Sequence, residues 1–166
     1  MSGRLKKAFR ELAILFVLFI LVSIGINLYK TWDFEPGPAP QLHGKLLNGQ
    51  PFLYPQGDQP MLVYFWGSWC PVCALQKSAI DSIAKDYPVI TVAMQSGDNA
   101  EVQQYLVDND LSFAVMNDPD SRIASQWSVT GVPAVFIISP DRQVEFVEVG
   151  YRTELGLRSR LWWARR

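Results

Sequence analysis

Met61-Leu62-Val63-Tyr64-Phe65 is an apolar, β-rich run without alternation, the pattern of a strand buried on both faces. It leads through Trp66-Gly67-Ser68-Trp69 into Cys70-Pro71-Val72-Cys73. From Pro71 to about Asp86 apolar side chains then recur at helical spacing (Val72, Leu75, Ala79, Ile80, Ile83). A central strand must therefore end where a helix begins, and both of the chain's cysteines fall at that joint. An i, i+3 pair in a first helical turn lies on one face, close enough for a disulfide. Pro71 fits such a turn, where a missing N–H is no loss.

The position sets the chemistry. A helix N-terminus carries unpaired N–H groups and about half a positive charge, which favours thiolate over thiol at Cys70. Cys-X-X-Cys thiols so placed titrate from about 3.5 to 7, against about 8.5 for a free cysteine. Cys70 thus reads as the exposed nucleophile and Cys73 as the thiol that resolves a mixed disulfide. Other uses of the pair fit less well. A structural disulfide closing so short a loop removes little chain entropy. A zinc site needs two further ligands, and the single histidine, His43, lies in another region and reads as a surface residue. Two buried small hydrophobes would not explain the coincidence of strand, tryptophan, cysteine pair and helix.

The 166 residues allow one domain and a short appendage. Residues 1–29 hold four basic groups (Arg4, Lys6, Lys7, Arg10) and one acid, Glu11. Of 15 basic and 16 acidic residues that leaves 11 and 15 from Lys30 onward, a mildly acidic body that argues against nucleic-acid binding. Leu12 to Tyr29 is eighteen residues without a charge, a candidate spanning helix with Tyr29 and Trp32 as interface anchors. The basic residues ahead of it predict a cytoplasmic N-terminus and place the remainder outside. A cleaved signal peptide with Ser23-Ile24-Gly25 as its site competes, but the apolar run continues to Leu28, which favours a retained anchor. The expected division is a cytoplasmic N-terminus over 1–11, an inner-membrane anchor over 12–29, a stiff Pro-rich linker over 30–40 and an α/β domain over 41–166. A compartment outside the cytoplasm is commonly oxidising, and there a lone Cys-X-X-Cys is more often catalytic than decorative.

Within that domain, Gln41 to Tyr54 reads as a hairpin. Strands follow over 88–94, 113–116, 134–138 and 144–149, with helices over 101–109 and 123–127 and a terminal helix capped by Thr153. Strands alternating with helices, then a terminal hairpin and helix, predict an α/β sandwich with a mixed sheet.

Phe65-Trp66-Gly67-Ser68-Trp69-Cys70-Pro71-Val72-Cys73 resembles the active-site stretch of thioredoxin-fold proteins. Within these it is most similar to the membrane-anchored periplasmic group of TlpA, ResA and DsbE-like cytochrome-c-maturation thioredoxins, over about residues 40 to 166. Trp127-Ser128-Val129-Thr130-Gly131-Val132-Pro133 resembles that family's aromatic-x-Val-x-Gly-x-Pro stretch. This implies a cis Val132–Pro133 bond packed against the cysteines, an isomer found at only about 5–6% of X–Pro bonds. It also implies that the Val132 backbone is offered to an extended substrate. Trp69 then borders the docking groove, Trp66 belongs to the core, and Pro71 and Val72 support the site. Met94 to Asp98 and Gly150 to Arg158 resemble a narrower subgroup, the anchored disulfide oxidoreductases of copper-sensitivity-suppressor operons, the D component.

Two positions depart from the family pattern. Tyr64 stands where many thioredoxins carry a buried Asp, and Gln76 where the TlpA and ResA group often carries a Glu. Cys73 must then lose its proton to water, to a distant carboxylate such as Glu145 or Glu148, or to a partner.

The expected activity is thiol–disulfide exchange without a cofactor or metal. The resemblance implies reduction of periplasmic proteins with disulfides, with electrons from a DsbD-like membrane protein. Alternatives are a cytochrome c maturation role, a disulfide oxidase, or a Cu(I) module using Cys70 and Cys73 as soft ligands. The absence of a neighbouring methionine or histidine weighs against the last.

Overall fold

The computed structural model describes residues 7, 9–12, 14–18, 22, 37–55 and 57–165. The chain divides into two compact units, Met1–Glu35 and Pro36–Arg166. In the first, the described residues are helical and exposed. Among the described residues no helix is long and apolar enough to cross a membrane. The expected anchor over 12–29 falls largely outside them.

The second unit is built on a five-stranded sheet in the order β3-β2-β1-β4-β5. Its elements are β1 (Met61–Trp66), α1 (Pro71–Ile83), β2 (Val89–Met94), α2 (Asn99–Asp108), β3 (Ala114–Asp118), α3 (Arg122–Gln126), β4 (Ala134–Ile138), β5 (Val144–Val149) and α4 (Glu154–Trp163). β1 pairs in parallel with β2 and β2 with β3, whereas β4 runs antiparallel to both β1 and β5. The sheet is thus mixed, as the alternation of elements predicted.

β1 holds the centre because its six residues are all apolar or aromatic and all buried. Its even-numbered side chains, Leu62, Tyr64 and Trp66, share one core cluster with Cys73, Ile80 and Ile83 of α1, Val102 and Leu106 of α2, and Leu157 and Leu161 of α4. Phe65, one step out of phase, meets Trp127 and Phe136, with ring centroids 5.0–5.7 Å apart within the trio. A strand clothed on both sides gains about 1.5–3 kcal/mol for each large side chain removed from water. That is why a run with no polar residue becomes the middle of the sheet.

Three local findings refine the sequence reading. On α1 the buried stripe is Cys73, Gln76, Ile80 and Ile83, while Val72 (39% exposed) and Leu75 (73%) face solvent. Val72 and Leu75 share the apolar spacing of Ile80 and Ile83 but not their burial. The true stripe includes a cysteine and a glutamine, which an apolar pattern does not count.

The expected hairpin over 41–54 is a tight turn: the Leu46 carbonyl accepts from Gly49 N, and Leu46 N donates to the Gln50 carbonyl. Gly49, at φ 81°, supplies the left-handed residue this turn needs. The turn lies on β3, where Leu47 N donates to the Val115 carbonyl at 2.9 Å and covers part of that edge strand. Finally, the domain begins before residue 41. Val144 N donates to the Gly37 carbonyl, and Ala39 N to the Arg142 carbonyl. The segment 37–39 therefore joins the start of β5, at the end of the sheet opposite Cys70.

Caps position the remaining helices. Thr153 accepts from Gly156 N, as expected, and Asp98 forms a reciprocal capping box with Glu101. α3 has no such cap of its own. Ser121 precedes it at φ 55° without a side-chain hydrogen bond, and Asp118, at the end of β3, accepts from Ile123 N (3.1 Å) and Ala124 N (2.9 Å) instead. Asp118→Ala leaves those donors without an acceptor. The expected loss is about 1–3 kcal/mol, seen as a lower urea midpoint at unchanged m-value. Asp120→Ala removes only an exposed pair with Arg122 and should stay within about 0.5 kcal/mol.

Candidate active site

Trp66 ends β1 with its indole N–H on the buried Thr91 hydroxyl at 3.1 Å and its ring against Tyr105 and Phe113, a core residue as expected. The chain then turns through Gly67. A Cβ there would lie 2.6 Å from the Trp69 ring, so only glycine lets the indole close over the turn. Trp69 Nε1 donates to the Met94 carbonyl at 3.1 Å, and Ser68 N donates to the Ser96 hydroxyl at 3.0 Å. These bonds tie the turn to the end of β2. Trp69 is 57% exposed yet held in place.

Cys70 is the N-cap of α1 and Pro71 its first residue. The Cys70 Sγ accepts the Cys73 N–H at 3.1 Å, the role a serine or aspartate oxygen plays at other helix starts. The two cysteines form a disulfide with Cα atoms 5.3 Å apart. Cys70 is 5% exposed and Cys73 2%, so both are buried in the disulfide form and the exposure expected of Cys70 is not seen: the turn and helix close over the pair.

Facing them is Val132-Pro133, joined by a cis peptide bond. The Val132 carbonyl lies 3.7 Å from Cys70 Sγ, a contact that becomes a hydrogen-bonding position when the sulfur carries a proton. The Pro133 carbonyl accepts from Gly150 N at 2.8 Å, which brings the β5–α4 connection to the site. Tyr151, in that connection, is half exposed. It stands between the residue bonded to Pro133 and Arg152, whose N–H is bonded to Gln76 of α1. Trp69, Val72, Leu75 and Tyr151 are exposed apolar side chains on the turn, the helix and the β5–α4 connection that carry the site. In the sequence Leu75 appears only among the apolar residues at helical spacing and Tyr151 only within the Gly150 to Arg158 stretch, and neither is marked there as a site residue.

The groups behind the sulfurs are neutral or neutralised. The Tyr64 hydroxyl reaches the Cys73 carbonyl at 3.5 Å, and burial, then neighbouring Tyr105, pushes its phenol far above the ordinary tyrosine range. Tyr64 is therefore a neutral packing residue and not a base. Gln76 is fully buried; its Oε1 accepts Arg152 N at 3.0 Å, while its Nε2 has no hydrogen-bond partner. Glu148 is buried between the Arg152 and Arg160 guanidiniums, the latter at 2.6 Å. Glu145 is exposed at the irregular start of β5, the far end of the sheet from the disulfide. His43 is exposed and hydrogen-bonded to Gln41 in a turn that lines no part of this site. Among the described residues no cluster of three or more His, Cys, Asp and Glu side chains is arranged to hold a metal ion.

Residues 37–147 match the AhpC/TSA family. The chain belongs to that family. It is 34% identical over 164 residues to a thioredoxin-like protein of Haemophilus influenzae, with 97% of each chain covered. It is also 28% identical over 134 residues to the thiol:disulfide interchange protein DsbE of Xylella fastidiosa, covering 74% of this chain and 68% of that one. Among solved structures, StoA from Bacillus subtilis superposes at TM-score 0.63 with 22% identity, over 75% of this chain and 98% of that one. A putative DsbE from Chlorobium tepidum superposes at 0.70 with 21% identity, over 80% and 99%. The fold of this AhpC/TSA member is thioredoxin-like, and the protein is a thiol–disulfide oxidoreductase of DsbE-like kind.

The buried phenol gives a pH prediction. With a folded-state pKa raised above the unfolded value of about 10, Tyr64 binds its proton more tightly when folded. Its contribution is intact below pH 10 and is lost as pH rises beyond it. Denaturant midpoints should fall from pH 10 upward. Tyr64→Phe should flatten that decline; an equally steep decline in the variant would assign it to Tyr54 and Tyr105, whose phenols are also raised by burial.

Proposed function

We propose that this enzyme reduces disulfides of specific periplasmic proteins, held at the inner membrane by an anchor over residues 12–29, with Cys70 as nucleophile and Cys73 as resolving thiol. The observation that carries the reading is the Cys70 sulfur acting as N-cap of α1, 3.1 Å from the Cys73 N–H. A helix N-terminus and a direct N–H donor both favour the thiolate at that atom once the disulfide is reduced.

The Cys70 thiolate attacks one sulfur of a substrate disulfide. A Cys70–substrate S–S bond forms, the substrate bond breaks, and the departing sulfur leaves as thiolate and takes up a proton from solvent. Cys73 then gives its proton to solvent, attacks Cys70 Sγ and expels the second substrate thiolate. Two electrons have passed to the substrate and the Cys70–Cys73 disulfide is restored. Returning electrons must come from a dithiol donor on the same side of the membrane; a DsbD-like membrane protein fits that role by family resemblance. An extended substrate segment pairs with the Val132 backbone beside Pro133, and Trp69, with Val72, Leu75 and Tyr151, supplies apolar cover.

The tether rests on the uncharged run Leu12–Tyr29 and the basic residues before it. The domains would then divide as a cytoplasmic 1–11, a spanning 12–29 and a periplasmic remainder. Because the segment 37–39 joins the sheet at the end away from Cys70, such a tether leaves the disulfide facing away from its attachment point.

Cys73→Ala should accumulate substrate proteins covalently attached to Cys70, and Cys70→Ala should accumulate none. Trp69→Ala should lower kcat/KM for a protein disulfide about tenfold, the loss of one aromatic docking contact. A membrane-impermeant maleimide should label reduced Cys70 in cells with an intact inner membrane; protection there would place the domain on the other side. A reduction potential near about −120 mV, and not about −270 mV, would reverse the direction of transfer.

A further inference from the structure

We propose that Glu148 is a positioning residue for substrate docking: gripped by Arg152 and Arg160, it holds the β5–α4 connection, and through it the spacing between the Val132–Pro133 ledge and α1. This deepens the exchange reading and rests on a polypeptide pairing with the Val132 backbone.

The placement begins with strand register. Glu148 lies opposite Val135, just past Pro133, so its side chain falls on the face of the sheet that α1 and α4 cover. β5 is an edge strand, yet Glu148 is only 8% exposed. Its Oε1 accepts from Arg160 Nε of α4 at 2.6 Å, and its Oε2 from Arg152 Nε. Arg160 is itself braced, with Nη1 donating to the Gly156 carbonyl at 2.9 Å. The three residues beyond β5 are bonded at both ends. Gly150, at φ 87°, turns the chain and donates its N–H to the Pro133 carbonyl at 2.8 Å. Arg152 N donates to Gln76 Oε1 of α1 at 3.0 Å. Between them the Tyr151 carbonyl accepts from Arg152 Nη1 at 2.9 Å. Arg152 thus joins Glu148 by its side chain and α1 by its backbone, and the ledge hangs from the same connection.

A buried ion cluster is a weak source of stability, because desolvation offsets most of the attraction and apolar residues of equal volume serve as well. What it supplies is direction. A planar guanidinium fixes its carboxylate in a narrow range of angles, and two of them leave Glu148 one position. The second cluster on α4 shows the contrast. Arg158 bonds Ser82, Asp86 and Glu154, which ties the two helices together and leaves residues 150–152 alone. The consequence for exchange follows from two separate anchorages. Cys70 Sγ is set by α1 itself, through the Cys73 N–H. The Val132 carbonyl, 3.7 Å from that sulfur, is set by the ledge. A polypeptide paired with Val132 meets the sulfur only while ledge and helix keep their spacing, whereas a small disulfide needs the sulfur alone.

The test compares two disulfides with one leaving group, using the full-length reduced chain carrying Cys73→Ala so that each reaction stops after one exchange. One is a short extended peptide whose single cysteine is joined to 5-thio-2-nitrobenzoate, the other is dithiobis(nitrobenzoate). In each, the Cys70 thiolate attacks the disulfide, a new Cys70 disulfide forms, and the coloured thiolate leaves. Glu148→Gln keeps the volume and removes the charge. It should lower the second-order rate constant for the peptide about tenfold, the worth of one docking hydrogen bond, and leave that for the small disulfide within about twofold. Arg158→Gln, in the other cluster, should leave both constants in place. Where Glu148→Gln does not fold, Arg160→Gln keeps Arg152 on the carboxylate and should lower the peptide constant about threefold. An unchanged ratio of the two constants in the Glu148 or Arg160 variant, or an equal change of ratio in Arg158→Gln, overturns the proposal. The unaltered protein gives a further readout: the Gly150 and Arg152 amides should exchange hydrogen at least about a hundredfold more slowly than an open loop, and exchange at the open-loop rate also overturns it. A reduced Cys70 that releases the reporter from neither compound refutes the exchange reading itself, whereas release from both at an unchanged ratio refutes only the role of Glu148.

Discussion

The contact on which the site depends is the Cys73 N–H on the Cys70 sulfur. It makes one sulfur of the redox-active pair the cap of a helix, so the fold cannot form α1 without presenting that sulfur to the helix N-terminus. Everything upstream fixes where the helix starts. β1 is immobilised by burial on both faces, Gly67 permits the close approach of Trp69, and the Trp69 indole and Ser68 N–H anchor the turn to the end of β2. Placing the thiol is therefore a property of the sheet and not of a flexible loop, which is how a small domain can hold a reactive group to within a few tenths of an ångström.

The surroundings of the sulfurs show a second constraint, the exclusion of free charge. The buried polar side chains on the elements around the disulfide include a phenol that burial keeps protonated, an uncharged amide and a carboxylate engaged by two guanidiniums. A free carboxylate in the position of Gln76 would oppose a thiolate one turn away in a medium of low dielectric, where repulsion is far stronger than in water. With the charges cancelled, the sulfurs are the groups whose charge changes during exchange. The structural arrangement thereby separates two tasks: Glu148 and the arginines hold the β5–α4 connection, while Tyr64 meets the Cys73 carbonyl and Gln76 the Arg152 N–H.

Much of this order was legible in the sequence because the signals are local. The strand–turn–helix handover at 61–73, the strands at 89–94, 134–138 and 144–149, and the Thr153 cap each rest on residues a few positions apart. The stretch ending in Val132-Pro133 was placed by its resemblance to a family motif. What escaped depends on contacts between distant segments. Asp118 caps α3 across a turn that lacks its own cap, and the segment 37–39 is claimed by β5 more than a hundred residues later. Gln76 sits inside because Arg152, far along the chain, offers it a backbone N–H. No pattern within α1 carries that information.

The exposed apolar residues of α1 are themselves informative. Val72 and Leu75 satisfy the period of a core stripe yet lie outside, while a glutamine is buried at the position that completes it. A helix chosen for stability alone would exchange those roles, since exposed leucine gains nothing and buried amide is unfavourable without full partners. Local rules broken in this way concentrate where a surface has work to do. Here the outward apolar residues lie on the helix that Cys70 caps, and the inward polar one accepts the Arg152 N–H. One helix thus carries apolar side chains outward and a polar one inward, starting from the disulfide itself. The joint at Cys70 fixes the helix, and this exchange of residues on the helix decides what the joint can do.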